Sequence, residues 1–157
     1  MTSDEVLAAL EQSRGMVEAR LQPESTETFG AWSAKDLLFH LAVWQRFFGI
    51  ELRVRREADR KATASEMLGR PLDAEASEAL MALDTDQSNA HFYELYRDEG
   101  WPAAIELWRE SCDRLHGEVA QLSDQQLAEG EPLWHRIGGE SFTHIAGHLS
   151  GPPEGVQ

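Results

Sequence analysis

The chain has 157 residues, with 14 Lys and Arg against 28 Asp and Glu, a formal charge of −14 with histidine neutral. That length, with 41% hydrophobic residues, suits one globular domain around one core. The charge argues against nucleic acid and anionic membranes as partners, because binding phosphates draws on Lys and Arg. A single cysteine excludes a disulfide framework and any multi-cysteine zinc or iron–sulfur site.

The opening Met1-Thr2-Ser3-Asp4-Glu5 is acidic and lacks the basic start and apolar stretch of a secretory signal, so a cytoplasmic location is expected. No window approaches the ~18 consecutive apolar residues of a membrane span. The first helix is expected from Ser3 to Leu21, with Val6, Leu10, Val17 and Leu21 on one face and Asp4 and Glu5 at the end where the helix dipole favours acid.

Trp32-Ser33-Ala34-Lys35-Asp36 reads as a second helix start, Ser33 capping the free N–H groups and Asp36 reaching back as in a capping box. Leu37, Leu41, Trp44, Phe48 and Leu52 then recur at helical spacing, and the helix can run to about Arg60. The basic run Arg53, Arg55, Arg56, Arg60 and Lys61 is interrupted by Glu51, Glu57 and Asp59, the pattern of a solvated helix end.

Residues 61 to 100 are less regular. Gly69-Arg70-Pro71 breaks the chain, and Asp84, Asp86, Ser88 and Asn89 dilute the periodicity of a helix between Asp73 and Tyr96. A long connection containing some helix is expected. The next helix has a strict seam of Trp101, Ile105, Trp108, Cys112, Leu115, Val119 and Leu122, with Pro102 tolerated in its first turn. Ser123 to Gln126 has capping-box spacing and opens a short helix. Glu131 to Gly139 reads as irregular, and a last short helix spans about Glu140 to Leu149. Almost nothing reads as a strand. The expected fold is all-α: a four-helix bundle with a long crossover containing extra helix between its second and third members. It forms one domain over residues 1–149, with a mobile tail over 150–157.

Among six histidines, three hold positions that suit metal chemistry. His144 and His148 are four residues apart, which on a helix leaves their rings ~40° and ~6 Å apart, within reach of one ion. The residue after His144 is Ile145 where a zinc protease helix carries Glu, so that class is excluded. His40 lies on the apolar stripe of Leu37, Trp44 and Phe47 and should point inward, where an imidazole needs partners for both nitrogens. Glu140, one turn before His144, is the candidate carboxylate base. Trp44, one turn from His40, is a candidate pocket wall, and His135 a candidate for the surroundings of the site. Glu51 is ~16 Å along the helix from His40, too far to touch an ion held there. Cys112, on the seam, reads as a buried inert thiol. His91, His116 and His135 lie off the apolar stripes.

The segment from Trp32-Ser33 through Asp36 to His40-Leu41 and Trp44 resembles the corresponding motif of the DinB/YfiT-like superfamily, and Glu140 to His148 resembles its closing HxxxH helix. The resemblance implies a four-helix bundle, often a homodimer. It implies a divalent metal, zinc or nickel, on one histidine of the second helix and the pair of the last: His40, His144 and His148. It also implies a small-molecule substrate, handled either by a metal-dependent hydrolase or by a transferase using a low-molecular-weight thiol such as mycothiol or bacillithiol. Departures are Gly147, where relatives often carry an acid, and the end of the last helix at Ser150-Gly151-Pro152-Pro153, soon after His148. A bundle that binds a small molecule without turnover is the alternative.

Overall fold

The computed structural model describes residues 1–129 and 133–150, with Glu140 described by its backbone alone. The expected mobile tail from Gly151 onward lies outside the described residues. The elements in order are α1 (Ser3–Arg20), β1 (Thr28–Phe29), β2 (Trp32–Ser33), α2 (Ala34–Ala58), α3 (Ala64–Leu68), α4 (Ala74–Met81), α5 (Thr85–Tyr96), α6 (Trp101–Val119), α7 (Asp124–Ala128), α8 (Leu133–Glu140) and α9 (Phe142–Leu149). The fold is all-α apart from the antiparallel pair β1–β2, in which Thr28 faces Ser33 and Phe29 faces Trp32.

The helix starts follow side-chain chemistry legible in the sequence. Thr2 with Glu5, Ser33 with Asp36 and Ser123 with Gln126 each close a reciprocal capping box, satisfying N–H groups that a helix start leaves open. The apolar stripes then meet. Val17 and Leu21, Leu37 and Leu41 of α2, Trp108 and Cys112 of α6, and Ile145 and Leu149 of α9 form one core. Towards the other end, Val6, Leu10, Phe48, Leu115, Val119 and Leu127 form a second, joined by Ile137 of α8. The basic end of α2 is solvated and paired as its composition suggests: Arg55 with Glu51 at 2.6 Å, Arg56 with Glu118 at 2.8 Å and Arg60 with Glu66 at 2.6 Å.

Two expectations need correction. The stretch read as irregular from Glu131 is helical from Leu133 to Glu140, because Ile137 is fully buried in the second core and that burial outweighs the poor helix propensity of Gly138 and Gly139. The crossover holds three short helices in place of one diluted one. Asp84 and Gln87 close a capping box that starts α5, so the polar residues that weakened the periodicity mark a helix beginning.

No helix among the described residues is long and apolar enough to cross a membrane. Trp108 is the largest fully buried side chain, at the centre of the first core. Trp108→Ala should cost about 3–5 kcal/mol. In urea unfolding this should appear as a lower midpoint at an unchanged slope.

Candidate metal centre

The site is built where the start of α2 meets α9. His40 lies in the second turn of α2, whose start is fixed by Ser33 N–H donating to Asp36 Oδ2 at 3.0 Å and Asp36 N–H donating to Ser33 Oγ at 3.1 Å. Just before it, the β1–β2 turn passes through Gly30 at φ +65°, a conformation glycine adopts without a Cβ penalty. The turn brings Trp32 back over the site, its ring 4.5 Å from that of His40 and 6.0 Å from that of His148.

An eight-residue helix such as α9 is too short to persist alone in water. Ile145 and Leu149 bury one of its faces. At its start, Gln45 Nε2 of α2 donates to Ser141 Oγ at 2.6 Å, both residues being buried. At its end, Arg20 Nη1 of α1 donates to the Leu149 carbonyl at 3.1 Å and sets a positive charge at the negative pole of the helix. The turn carrying His148 is therefore fastened at its end. Gly138 permits the bend into α9, since a Cβ there would lie 2.8 Å from the Phe142 ring.

These constraints bring three imidazoles to one point. His144 Nε2 lies 3.2 Å from His40 Nε2 and 3.0 Å from His148 Nε2, and the ring centroids are 4.7 to 5.1 Å apart. A ring nitrogen of neutral imidazole carries one proton or one lone pair. Three such atoms aimed at one another cannot all be matched by hydrogen bonds among themselves, whereas a cation at the common point takes a lone pair from each. Two nitrogens bound tetrahedrally at ~2.0–2.1 Å stand about 3.3 Å apart, close to the separations seen. The donor set therefore fits a divalent metal.

Burial, reinforced by the neighbouring His148 and His144, pushes His40 down to about 3. Burial and then His144 also lower His148. Both rings are held in the neutral form that ligates metal. The histidines open into a cavity of about 270 Å³, bounded also by Trp32, Trp44, Thr85 and Asn89. Trp44 Nε1–H donates to Asn89 Oδ1 at 2.9 Å, fixing both side chains on the cavity wall.

His40, His144, His148 and Trp44 are thus brought together. His135 is not: it is exposed, its ring stacks on Trp134 at 3.5 Å, and Trp134 packs on the second core. The side chain of Glu140 lies outside the described residues. Glu51 accepts from Arg55 and from the Ala62 N–H, tying α2 to the crossover. Cys112 is buried, and burial pushes its thiol up to about 12, as befits an inert core thiol. Sequence reasoning missed Thr85 and Asn89 as site residues, and took Trp32 as a helix-start marker and part of the family motif but not as a wall of the site. The Asp84–Gln87 capping box was the available signal, because a helix starting there sets Thr85 and Asn89 on one face.

A sequence model of the DinB superfamily matches residues 24–150. No curated protein and no solved structure matches the chain.

Gln45→Ala should strand the buried Ser141 hydroxyl at a cost of about 1–3 kcal/mol, and hydrogen exchange should show α9 opening before α2 and α6. The Cys112 thiol should react with a disulfide reagent only as fast as the protein unfolds. Reaction at the rate of a free thiol would show that it is open to solvent.

Proposed function

The chain belongs to the DinB superfamily, and from that premise we propose that it is a metal-dependent enzyme acting on a small molecule, with His40, His144 and His148 as ligands of one divalent cation. The observation that carries this reading is the convergence of three Nε2 atoms from α2 and α9. In this reading α1, α2, α6 and the α8–α9 pair are the four members of the bundle, a reading supported by the packing of α2 on α6 and of α1 on α6 and α9.

Three neutral imidazoles leave the cation its full charge and at least one position for an exogenous group, the donor count of catalytic sites. Zinc and nickel both suit imidazole. When bound, the metal would lower the pKa of water or of a thiol, supplying a nucleophile near neutral pH. The reaction is then hydrolysis, or transfer to a low-molecular-weight thiol.

The chain's own residues shape the rest. Trp32, against His40 and His148, keeps bulk water from one side of the histidines, and Trp44 does so from another. The Trp44 indole can only donate, so the amide end of Asn89 that it meets is the oxygen. The Nδ2 end is left to donate, which suits a carbonyl, carboxylate or phosphoryl group on the substrate.

Untagged protein stripped of metal should take up one zinc or nickel ion. At a hundredfold excess over Kd the ion adds about 2.7 kcal/mol of stability, a rise in melting temperature of roughly 5–10 °C. His144→Ala should abolish the rise. A melting temperature that metal leaves unmoved would overturn the ligand assignment.

A further inference from the structure

A second cavity, of about 170 Å³, lies behind Trp44 between α2 and the crossover helices. Its walls include Phe47, Met67, Leu80, Leu83 and Phe92. We propose that this cavity holds an apolar end of the substrate, so that the substrate is an amphipathic small molecule with its reacting polar end at the histidines and an alkyl or aryl group of about six carbons behind Trp44. The polar end rests on the metal-enzyme reading; the apolar cavity stands without it.

The two cavities share a wall. Trp44 borders both, and α5 serves both from different faces, Thr85 and Asn89 turned to the histidines, Ser88 and Phe92 to the apolar side. The Trp44–Asn89 hydrogen bond lies in that partition, so a chain passes from one cavity to the other by breaking that bond and turning the indole aside. The floor is an aromatic cluster packed edge to face, with ring centroids 5.9 Å apart for Trp44 and Phe47, 6.0 Å for Trp44 and Phe92, and 4.9 Å for Phe47 and Phe92. One side is fastened to α2, where Arg46 Nε donates to the Met67 carbonyl at 2.9 Å.

The outer wall is incomplete. α4 contributes Leu80 and Met81, yet contains no buried residue, and Met81 is 48% exposed. An apolar occupant would give these side chains the neighbours they lack, removing apolar surface from water on both partners. The size is suitable: an apolar protein cavity of about 150 Å³ takes up benzene. Trp44 then becomes the specificity-determining residue between the two ends, and Leu80 and Phe47 set how long a chain is accepted.

The test uses two series of probes on the full chain. Zinc-loaded protein is titrated calorimetrically with straight-chain hydroxamic acids, from acetohydroxamic to octanohydroxamic acid, whose head groups chelate zinc. Affinity should rise by about fourfold per methylene, the equivalent of ~0.8 kcal/mol for each buried CH₂, and level off near heptanohydroxamic acid, whose chain has about six carbons beyond the head group. Leu80→Trp should flatten the series and leave acetohydroxamic acid unaffected, with Leu83→Phe as the second filling variant should the first fail to fold. Phe47→Ala should move the levelling point to longer chains. Metal-free protein is titrated in parallel with straight-chain alcohols from butanol to octanol, read by indole fluorescence, and the same gradient and the same loss in Leu80→Trp are expected. Acetohydroxamic acid binding with no dependence on chain length would overturn the apolar site while leaving the metal reading intact. An alcohol gradient without any hydroxamate binding would overturn the metal-anchored head and leave the apolar site. A flat response in both series would overturn the bipartite substrate altogether.

Discussion

The proposed metal centre depends on holding α9 against α2 so that three imidazole nitrogens meet. Two of those nitrogens come from a helix that could not stand alone. The molecule clamps it at both ends from different elements, with Gln45 of α2 at its start and Arg20 of α1 at its end, while Ile145 and Leu149 anchor its middle in the core. Each clamp acts on a backbone or hydroxyl group that would otherwise be left without a partner at a helix terminus. Shape and hydrogen bonding therefore cooperate: loosening α9 would lose core burial and histidine convergence together.

The electrostatics are arranged on two scales. Near the point of convergence burial favours the neutral forms of His40 and His148, and the cavity they open into is bordered by tryptophans, an amide and a hydroxyl. A cation there would keep its charge for whatever binds it. Across the surface the chain carries its excess of acid, with Arg55, Arg56 and Arg60 at and just past the end of α2 held in ion pairs. A negative field of that kind raises the local concentration of cations and disfavours polyanions. Surface charge and buried histidines thus both favour a cation at the proposed site.

The long elements were legible in the sequence because their signals are local and redundant. Val6, Leu10, Val17 and Leu21 announce a buried face, and Ser33 with Asp36 announces a start; both are found as read. His40 was legible for the same reason, sitting on a stripe whose neighbours are apolar. α8 was not, because Gly138 and Gly139 argue locally against helix and only the distant packing of Ile137 decides otherwise. The contacts that shape the site have no local signature at all. Gln45 reaches Ser141 across 96 residues, Arg20 reaches Leu149 across 129, and Trp44 reaches Asn89 across 45. Periodicity identifies which face of a helix is buried; it does not say which distant hydroxyl or carbonyl a side chain on that face will meet.

The crossover links the two halves of the functional picture. It is tied to α2 through Trp44, Arg46 and Glu51, so the wall of the histidine cavity and the wall of the apolar cavity are held by one helix. X-ray absorption at the zinc edge of stripped and reloaded protein tests the central claim most directly. Three imidazole nitrogens at ~2.0–2.1 Å with one further light atom, falling to two imidazoles in His40→Ala, is the expected result. A shell made only of oxygen atoms, or one unchanged by His40→Ala, would contradict the convergence of α2 and α9 on a shared metal.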